Sequence, residues 1–508
     1  MAQQLQNVTI SAPAFSGINT QDSPIDLDPS FARIADNCVI DSFGRIGARN
    51  GYELLTTDAT NLGASVGTES LFEFIDQSGD IVVLSAANNK LFSGTTTLTE
   101  LSSGTTITAN NWKFANLNNH CYLFQKGHES LIFTDASGSA TLTKFSSFGS
   151  ASGTAPQANE VISAFGRLWA ADVTGNQHTV FFSHLQIGYQ WTGGSSGSLD
   201  ITSVLPAGED PIVALAAHNG KLIIFCRNTI LIYAGATTPS SMTLEDTIVG
   251  VGCIARDSVV SIGTDLLFLS DSGLRSLGRT IQEKSAAIGD LSQNVRNDLI
   301  GDIATETGNI KAVYSPENSF YLLALPSNEK VYVFDISKVL PTGAFRVTTW
   351  SSIKPLCFVR ERDGDLIFGR AGGIAKYSTF KDNDAAFTLQ YFSNPLAFQQ
   401  PANVKFLKKF NLTIIGGAAT SVVFKWGYDY SEAYETQNFT IGSSAAAEYG
   451  VSEYGGTAEY TASLLVNTPK INATGGGEVV TVGLEANIAG APFSIQRIDI
   501  LVLLGRIL

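Results

Sequence analysis

The amino-acid sequence predicts an all-β chain whose body is a β-propeller-like platform of six or seven blades, with a rim helix and a C-terminal β-sandwich. Three observations carry that expectation. The first is a recurring phrase. "GDIVVLSAANNKLFSGT" (79–95), "NNHCYLFQKGHESLIFTDASG" (118–138), "FGRLWAADVTGNQHTVFFSH" (165–184) and "AHNGKLIIFCRNTILIYAGATT" (217–238) each set two short apolar runs around a polar turn. The form returns in "GTDLLFLSDSGLRSL" (263–277), "NSFYLLALPSNEKVYVFDISK" (318–338) and "DGDLIFGRAGGIAKYST" (363–379). Apolar runs bounded by Asn- or Gly-bearing turns are hairpin signals. The second is spacing: the seven units start about 47 residues apart on average. A period of ~40–50 residues built from antiparallel strands is that of propeller blades, small sheets that bury their faces only against neighbouring sheets. Sandwich meanders also repeat hairpins, but at about 8–12 residues per strand. The third is composition: 44% apolar and 15% charged residues with 48 Gly suit a β-rich chain with few solvated helices.

The elements follow in order. Residues 1–60 form a lead-in of strands and turns punctuated by Pro and Asp, and within it Gly44 and Gly51 in "DSFGRIGARNGYELL" are expected at tight turns of positive φ. Residues 61–384 carry the platform, with "FGSASGTAPQANE" from 148 as a linker between blades. In "SAAIGDLSQNVRNDLIGDIATE", Ile288, Leu291, Val295, Leu299 and Ile303 recur at three or four, a helical stripe that Ser285 or Asp290 would cap. Residues 385–508 change character: "FLKKFNLTIIGGAATSVVFKWGYDY" and "SIQRIDILVLLGRIL" are long alternating strands of a β-sandwich. A length of 508 residues exceeds the ~250–300 over which one core usually grows, so more than one domain is expected.

Inside the last region, "AAAEYGVSEYGGTAEYTAS" repeats an acidic-aromatic pair at Glu448 and Tyr449, Glu453 and Tyr454, and Glu459 and Tyr460. Tyrosines on a Gly-rich thread present large contact area to a partner at low entropic cost, which makes these six residues the candidate binding loop. A plain surface hairpin is the competing reading.

Chemistry is poorly represented. Cys38, Cys121, Cys226, Cys253 and Cys357 are an odd number, far apart and set in apolar strand text, so they read as free buried thiols of a reducing compartment. His120, His128, His178, His184 and His218 form no metal-ligating spacing; neither metal nor cofactor is expected. "LSDSGLRSL" lacks the Ser spacing and the Trp of an Asp-box turn, and no Trp is followed by Asp. Glu361 and Asp363 in "VRERDGDLIFG", and Asp271, are carboxylates of strand turns, where solvation is the ordinary fate. No catalytic residue is assigned and no enzyme is expected. Trp191 in "GYQWTGG" is the best candidate for the alternative of a receptor- or glycan-binding tail propeller, which should show aromatic platforms in exposed turns; a glycan-degrading enzyme would need paired carboxylates facing one pocket.

Net charge is −14, from 32 basic and 46 acidic residues. Gripping nucleic acid needs the opposite sign, and the one cationic knot is "VKFLKKF" with Lys405, Lys408 and Lys409; as a strand, it places these at solvated alternate positions. No stretch is long and apolar enough to enter a membrane, and the N-terminus lacks the pattern of a secretion signal.

The lead-in "GINTQDSPIDLDPSFARIADNCVIDSFGRIGARNGYELL" (17–55) resembles the opening of tail-nozzle, or packaged-DNA stabilisation, proteins of short-tailed, podovirus-like phages. "NGKLIIFCRNTILIYAGATT", "VGCIARDSVVSIGTDLLFLSDSGLRSL", the helix after it and "SFYLLALPSNEKVYVFD" follow in that family's order, so the likeness covers most of residues 17–340, and "RIDILVLLGRI" is similar to its final strand. Residues 385–490 carry no likeness. The resemblance implies a homohexameric ring in the virion tail, assembled in the host cytoplasm. It would lie below the head-to-tail adaptor ring, contact tail fibres or needle proteins, extend the DNA ejection channel and help retain the genome. Double-stranded DNA would pass without specific binding, and the family has no catalytic residues to transfer. Six copies at −14 would carry −84, and acidic side chains biased to a shared axis would let DNA slide.

Overall fold

β-Branched and aromatic runs between Asn and Gly turns fold into a six-blade β-propeller arrangement. The computed structural model describes residues 5–12, 15–24, 26–58, 62–63, 66–102, 106–108, 110–134, 141–206, 208–283, 290–431, 433–442 and 466–507. The inner strands of the six blades are Ser70–Ile75, Lys113–Leu117, Ala158–Ala164, Ile212–His218, Lys311–Ser315 and Cys357–Arg360. Each pairs antiparallel with the next strand in sequence, and each blade has four strands. The turns use the residues that tolerate left-handed backbone: Asn118, Asn119 and Asn219 all have positive φ.

A three-stranded sheet, Val260–Ser261, Leu266–Ser270 and Gly273–Ser276, is wedged between the fourth and fifth blades. Its middle strand is buried on both faces. Leu266 and Phe268 pack with Ile223 and Phe225 of the fourth blade, whereas Leu267 and Leu269 pack with Tyr321 and Leu323 of the fifth. The seven repeated phrases therefore resolve as the second and third strands of six blades plus this wedge. The ring is closed by the lead-in: Tyr52–Leu54 is the outer strand of the sixth blade, with Tyr52 opposite Tyr377.

The helical stripe is only partly helical. Helices span Leu277–Glu283 and Arg296–Thr305, the second entered through a 3₁₀ turn at Gln293–Val295. Asp290 caps no helix. It bridges Arg275, and Leu291 donates its N–H to the Leu274 carbonyl while accepting from the Phe345 N–H. Those backbone groups belong to a sheet edge, so helical bonding starts only beyond them, although Leu291, Val295 and Leu299 are buried as the stripe requires. Ser285 and Ile288 lie outside the described residues.

The C-terminal region is a two-sheet sandwich. Asn403–Gly416 pairs along its length with Phe493–Ile507, which is flanked on its other side by Leu5–Ser11. The facing sheet contains Phe387–Ser393, Val480–Ile488, Ser421–Tyr428 and Glu435–Thr440. Phe410, Leu412, Ile498 and Ile500 pack onto Phe424, Trp426, Val482 and Leu484 in one core. That facing sheet is continuous with the fifth blade, through the lead-in strand Phe31–Asp36. Tyr321 and Phe334 of the blade share the sandwich core.

One cation of the "VKFLKKF" knot departs from its expected solvation. Lys405 is fully buried, its Nζ donating to the carbonyls of Gln400 and Glu478 at 2.5 Å each, and burial lowers its pKa. Bulges on either side, between Asn403 and Lys405 and between Leu407 and Lys409, change which residues face inward.

The two lead-in glycines differ in their reason. Gly44 has φ +75°. Gly51 is not left-handed; instead, a Cβ there would sit 1.9 Å from the Lys381 carbonyl oxygen. Gly44→Ala is expected to cost about 1–2 kcal/mol, and Gly51→Ala considerably more because backbone must move; thermal unfolding of both variants checks the order, and equal losses would contradict it.

Candidate functional site

The propeller axis is occupied by charge. Lys113 opens the inner strand of the second blade, Glu160 lies in that of the third, and Lys311 opens that of the fifth. Arg256 and Asp257 sit in the segment that leads into the wedge. Backbone pairing fixes that segment, since the Asp257 carbonyl accepts the Ala312 N–H at 2.9 Å. Asp257 is the common acceptor: Lys113 Nζ lies 2.8 Å from Oδ1, while Lys311 Nζ and Arg256 Nη2 each lie 2.7 Å from Oδ2. The second and fifth blades face each other across the ring, so these pairs span the axis.

Neutral groups complete the cluster. Asn111 Oδ1 accepts from Lys311 Nζ at 2.7 Å and from Arg256 Nη2 at 2.8 Å. Arg256 Nη1 donates to both the carbonyl and the Oδ1 of Asn159. Glu160 is 1% exposed, with Lys113 Nζ at 3.4 Å and Arg256 Nε at 3.9 Å, and its Oε2 has no hydrogen-bond partner. Burial opposes the charged form of every member. For Asp257 burial is outweighed by Arg256, Lys113 and Lys311, and its carboxyl is held well below the usual range. For Glu160 burial wins over Lys113 and Arg256, and its pKa is pushed up to about 7. Burial lowers Lys311, whereas Asp257 and Glu160 overcome it at Lys113 and raise that ammonium.

A cavity of about 550 Å³ opens onto the cluster, lined by Asn111, Asn159, Arg227, Arg256, Asp257 and Glu306 among others. Every N–H-bearing nitrogen of Arg256 is already engaged by protein oxygens, so the cluster is built as a structural clamp. Nothing in the one-dimensional pattern announces it. Lys113 and Lys311 are isolated charges at the start of apolar strands and Glu160 one within such a strand, and their only signal is a charge where an inner strand should be apolar.

The residues singled out from sequence lie elsewhere. Glu448, Tyr449, Glu453, Tyr454, Glu459 and Tyr460 fall outside the described residues. Glu361 and Asp363 meet Asp365 in the first hairpin of the sixth blade, ligand oxygens within 4.8 Å of one another. Three carboxylate oxygens suit a hard cation such as calcium. Burial, then Asp363 and Glu73, raise the Glu361 pKa, and Lys376 is paired with Asp365. Asp271 is exposed in the wedge, apart from them. Trp191 is half-buried, edge-on to Phe124 at 6.0 Å, and lines a cavity of about 300 Å³ with Pro156 and Phe181. His184 bonds its neighbour's carbonyl, and His178 Nε2 is buried without a partner. All five cysteines are free and buried; burial pushes Cys253 to about 11 and Cys357 to about 12, which keeps those thiols protonated. No helix among the described residues is long and apolar enough to cross a membrane.

No family model matches the chain, and no curated protein does. Solved structures similar to it include the extracellular domain of a protein described as a one-component system from B. thetaiotaomicron (12% identity, TM-score 0.40, 66% of this chain and 40% of that one). YCF48 bound to a D1 peptide matches at 9% identity and TM-score 0.36 over 63% of this chain and 93% of that one. PorZ, a surface component of the type-IX secretion system of Porphyromonas gingivalis, matches at 12% identity and TM-score 0.34 over 65% of this chain and 42% of that one. The chain thus spans well under two thirds of the first and third of these proteins.

Two outcomes follow from the clamp. Glu160 binds its proton more tightly folded than unfolded, so the stability it contributes is full below its ordinary pKa of 4.5 and is lost as pH rises from there to about 7. Glu160→Gln should flatten the pH dependence of stability across that window and gain at most about 3 kcal/mol at pH 8; denaturant titrations at pH 5 and 8 test it, and a variant less stable than wild type at pH 8 refutes it. Asp257→Asn leaves three cations facing one another and should cost roughly 3–5 kcal/mol.

Proposed function

We propose that the chain is a structural tail-nozzle protein of a short-tailed phage, forming a homohexameric ring in the virion tail that extends the DNA ejection channel and helps retain the packaged genome. The observation that carries this reading is the braced axis. A propeller whose centre is crossed by the ion pairs of Lys113, Arg256, Asp257 and Lys311 is a poor conduit for a duplex, so a channel built from this chain would lie between copies. A second support is the likeness of residues 17–340 to the nozzle family. A third is rigidity: the shared sheet of the fifth blade and sandwich suits a wall under pressure. In this reading the adaptor ring lies above, fibre or needle proteins attach below, and assembly takes place in the host cytoplasm.

Native mass measurement of the purified chain should give six copies, and a stable monomer or trimer at micromolar concentration would overturn the ring. Because the ring reading assigns no chemistry, Ala at Asp271, Glu361 or Asp363 should leave assembly unchanged. Loss of a polysaccharide-cleaving activity in any of these variants, with folding intact, would restore a glycan-degrading enzyme.

A further inference from the structure

The remaining lysines of "VKFLKKF", Lys408 and Lys409, come together with a third, Lys470, on the outer face of the sandwich. Phe410, Leu412, Ile498 and Ile500 point into the core, so their strand neighbours point out. Backbone register aligns those neighbours in rows. Lys409 stands between Asn472 and Leu501, Asn411 between Lys470 and Asp499, and Thr413 beside Arg497. Strands lie ~4.8 Å apart and successive rows on one face ~7 Å apart, which puts Lys409 and Lys470 at a diagonal of about 7–8 Å. Lys408, the extra residue of the bulge, is exposed next to them.

Lys408, Lys409 and Lys470 have no ion-pair partner among the described residues, unlike Lys425 on the facing sheet, which pairs with Glu485 at 2.8 Å. Among the described residues of these rows the carboxylate is Asp499, which is already satisfied by Arg497 Nε at 2.7 Å and Thr9 Oγ1 at 2.6 Å. Phe406 lies on the same face, 40% exposed. The ring fits there because its neighbours on both flanking strands are glycines: a Cβ at Gly476 or Gly505 would meet it at 2.7 or 2.8 Å. Among the described residues, positive charge without an ion-pair partner stands beside an exposed ring on a chain of net charge −14.

We propose that this face, Lys408, Lys409 and Lys470 with Phe406 at its edge, contacts the phosphodiester backbone of a nucleic acid. Lysine ammonium groups displace counterions from phosphates without reading sequence, and an exposed ring adds stacking where bases are unpaired. The inference concerns the single chain and is independent of the ring reading: a monomer that binds would remove the ring and keep the contact, and a hexamer that does not bind would do the reverse.

The test is fluorescence anisotropy of the full chain with a labelled duplex and a labelled single strand of about 20 nucleotides, starting near 50 mM salt. Three contacts predict a slope of log affinity against log salt of roughly −2 to −3. The K408Q/K409Q/K470Q variant should bind roughly tenfold or more weakly with a slope near zero, at unchanged melting temperature, whereas K144Q/K338Q should match wild type. F406A weakening the single strand alone marks unpaired bases as the source of the phosphates; no effect on either probe marks the duplex. Absent wild-type binding at that salt, or equal binding by wild type and the triple variant, overturns the proposal. So does a triple variant that changes the oligomer mass while keeping its affinity, since the face would then be a protein interface.

Discussion

The fold depends on one carboxylate. Asp257 accepts three cations drawn from the second blade, the fifth blade and its own segment, so it ties together sheets that share no hydrogen-bonded edge. A ring of blades otherwise holds only through contacts between neighbours. A bond across the axis braces the ring, so that the second blade does not tilt without moving the fifth. Buried charge carries a large desolvation cost, and that cost is tolerable here only because nearly every donor and acceptor is matched. The exception, Glu160 with its unpartnered oxygen, takes up a proton near neutrality instead, as an incompletely paired buried carboxyl must.

A second constraint acts at the periphery. The fifth blade does not end at its fourth strand: Phe31–Asp36 extends the sheet into the sandwich, and Tyr52–Leu54 completes the sixth blade. The lead-in is therefore distributed over both bodies. Arg49 marks the junction: its side chain is fully buried, paired with Asp382 at 2.7 Å and lying over the Phe387 ring at 4.0 Å. A chain stitched this way unfolds its two bodies together, because removing either exposes a sheet edge and the core of the other.

What could be read from the sequence follows from which forces are local. Hairpins are local, so the seven phrases located every blade, and "DLLFLSDSGLRSL" carried the wedge as a unit of the same kind. Its two-stranded text holds no information that it lacks a full fourth strand. Propensity over 285–306 gave a longer helix than forms, because the sheet edge at Leu274 and Phe345 claims the Leu291 backbone first. Lys405 looked solvated by alternation until bulges on either side changed the residues that face inward. The clamp was illegible for the same reason in stronger form: its members are separated by up to 198 positions, between Lys113 and Lys311, and only ring closure brings them together. Conversely, Glu361 and Asp363 were visible as a pair because one turn holds both.

Charge placement gives the last step. Basic residues are the minority, 32 against 46 acidic, and nine of the lysines are held in ion pairs: Lys90, Lys113, Lys126, Lys221, Lys311, Lys330, Lys354, Lys376 and Lys425 each face a carboxylate. What sets Lys408, Lys409 and Lys470 apart from other lysines without an ion pair, such as Lys144 and Lys338, is that they lie together on adjoining strands. In the proposed contact, a chain of net charge −14 that gathers three lysines without ion pairs on one sheet face would favour a polyanion at that face over the rest of its surface, because like charge repels it elsewhere.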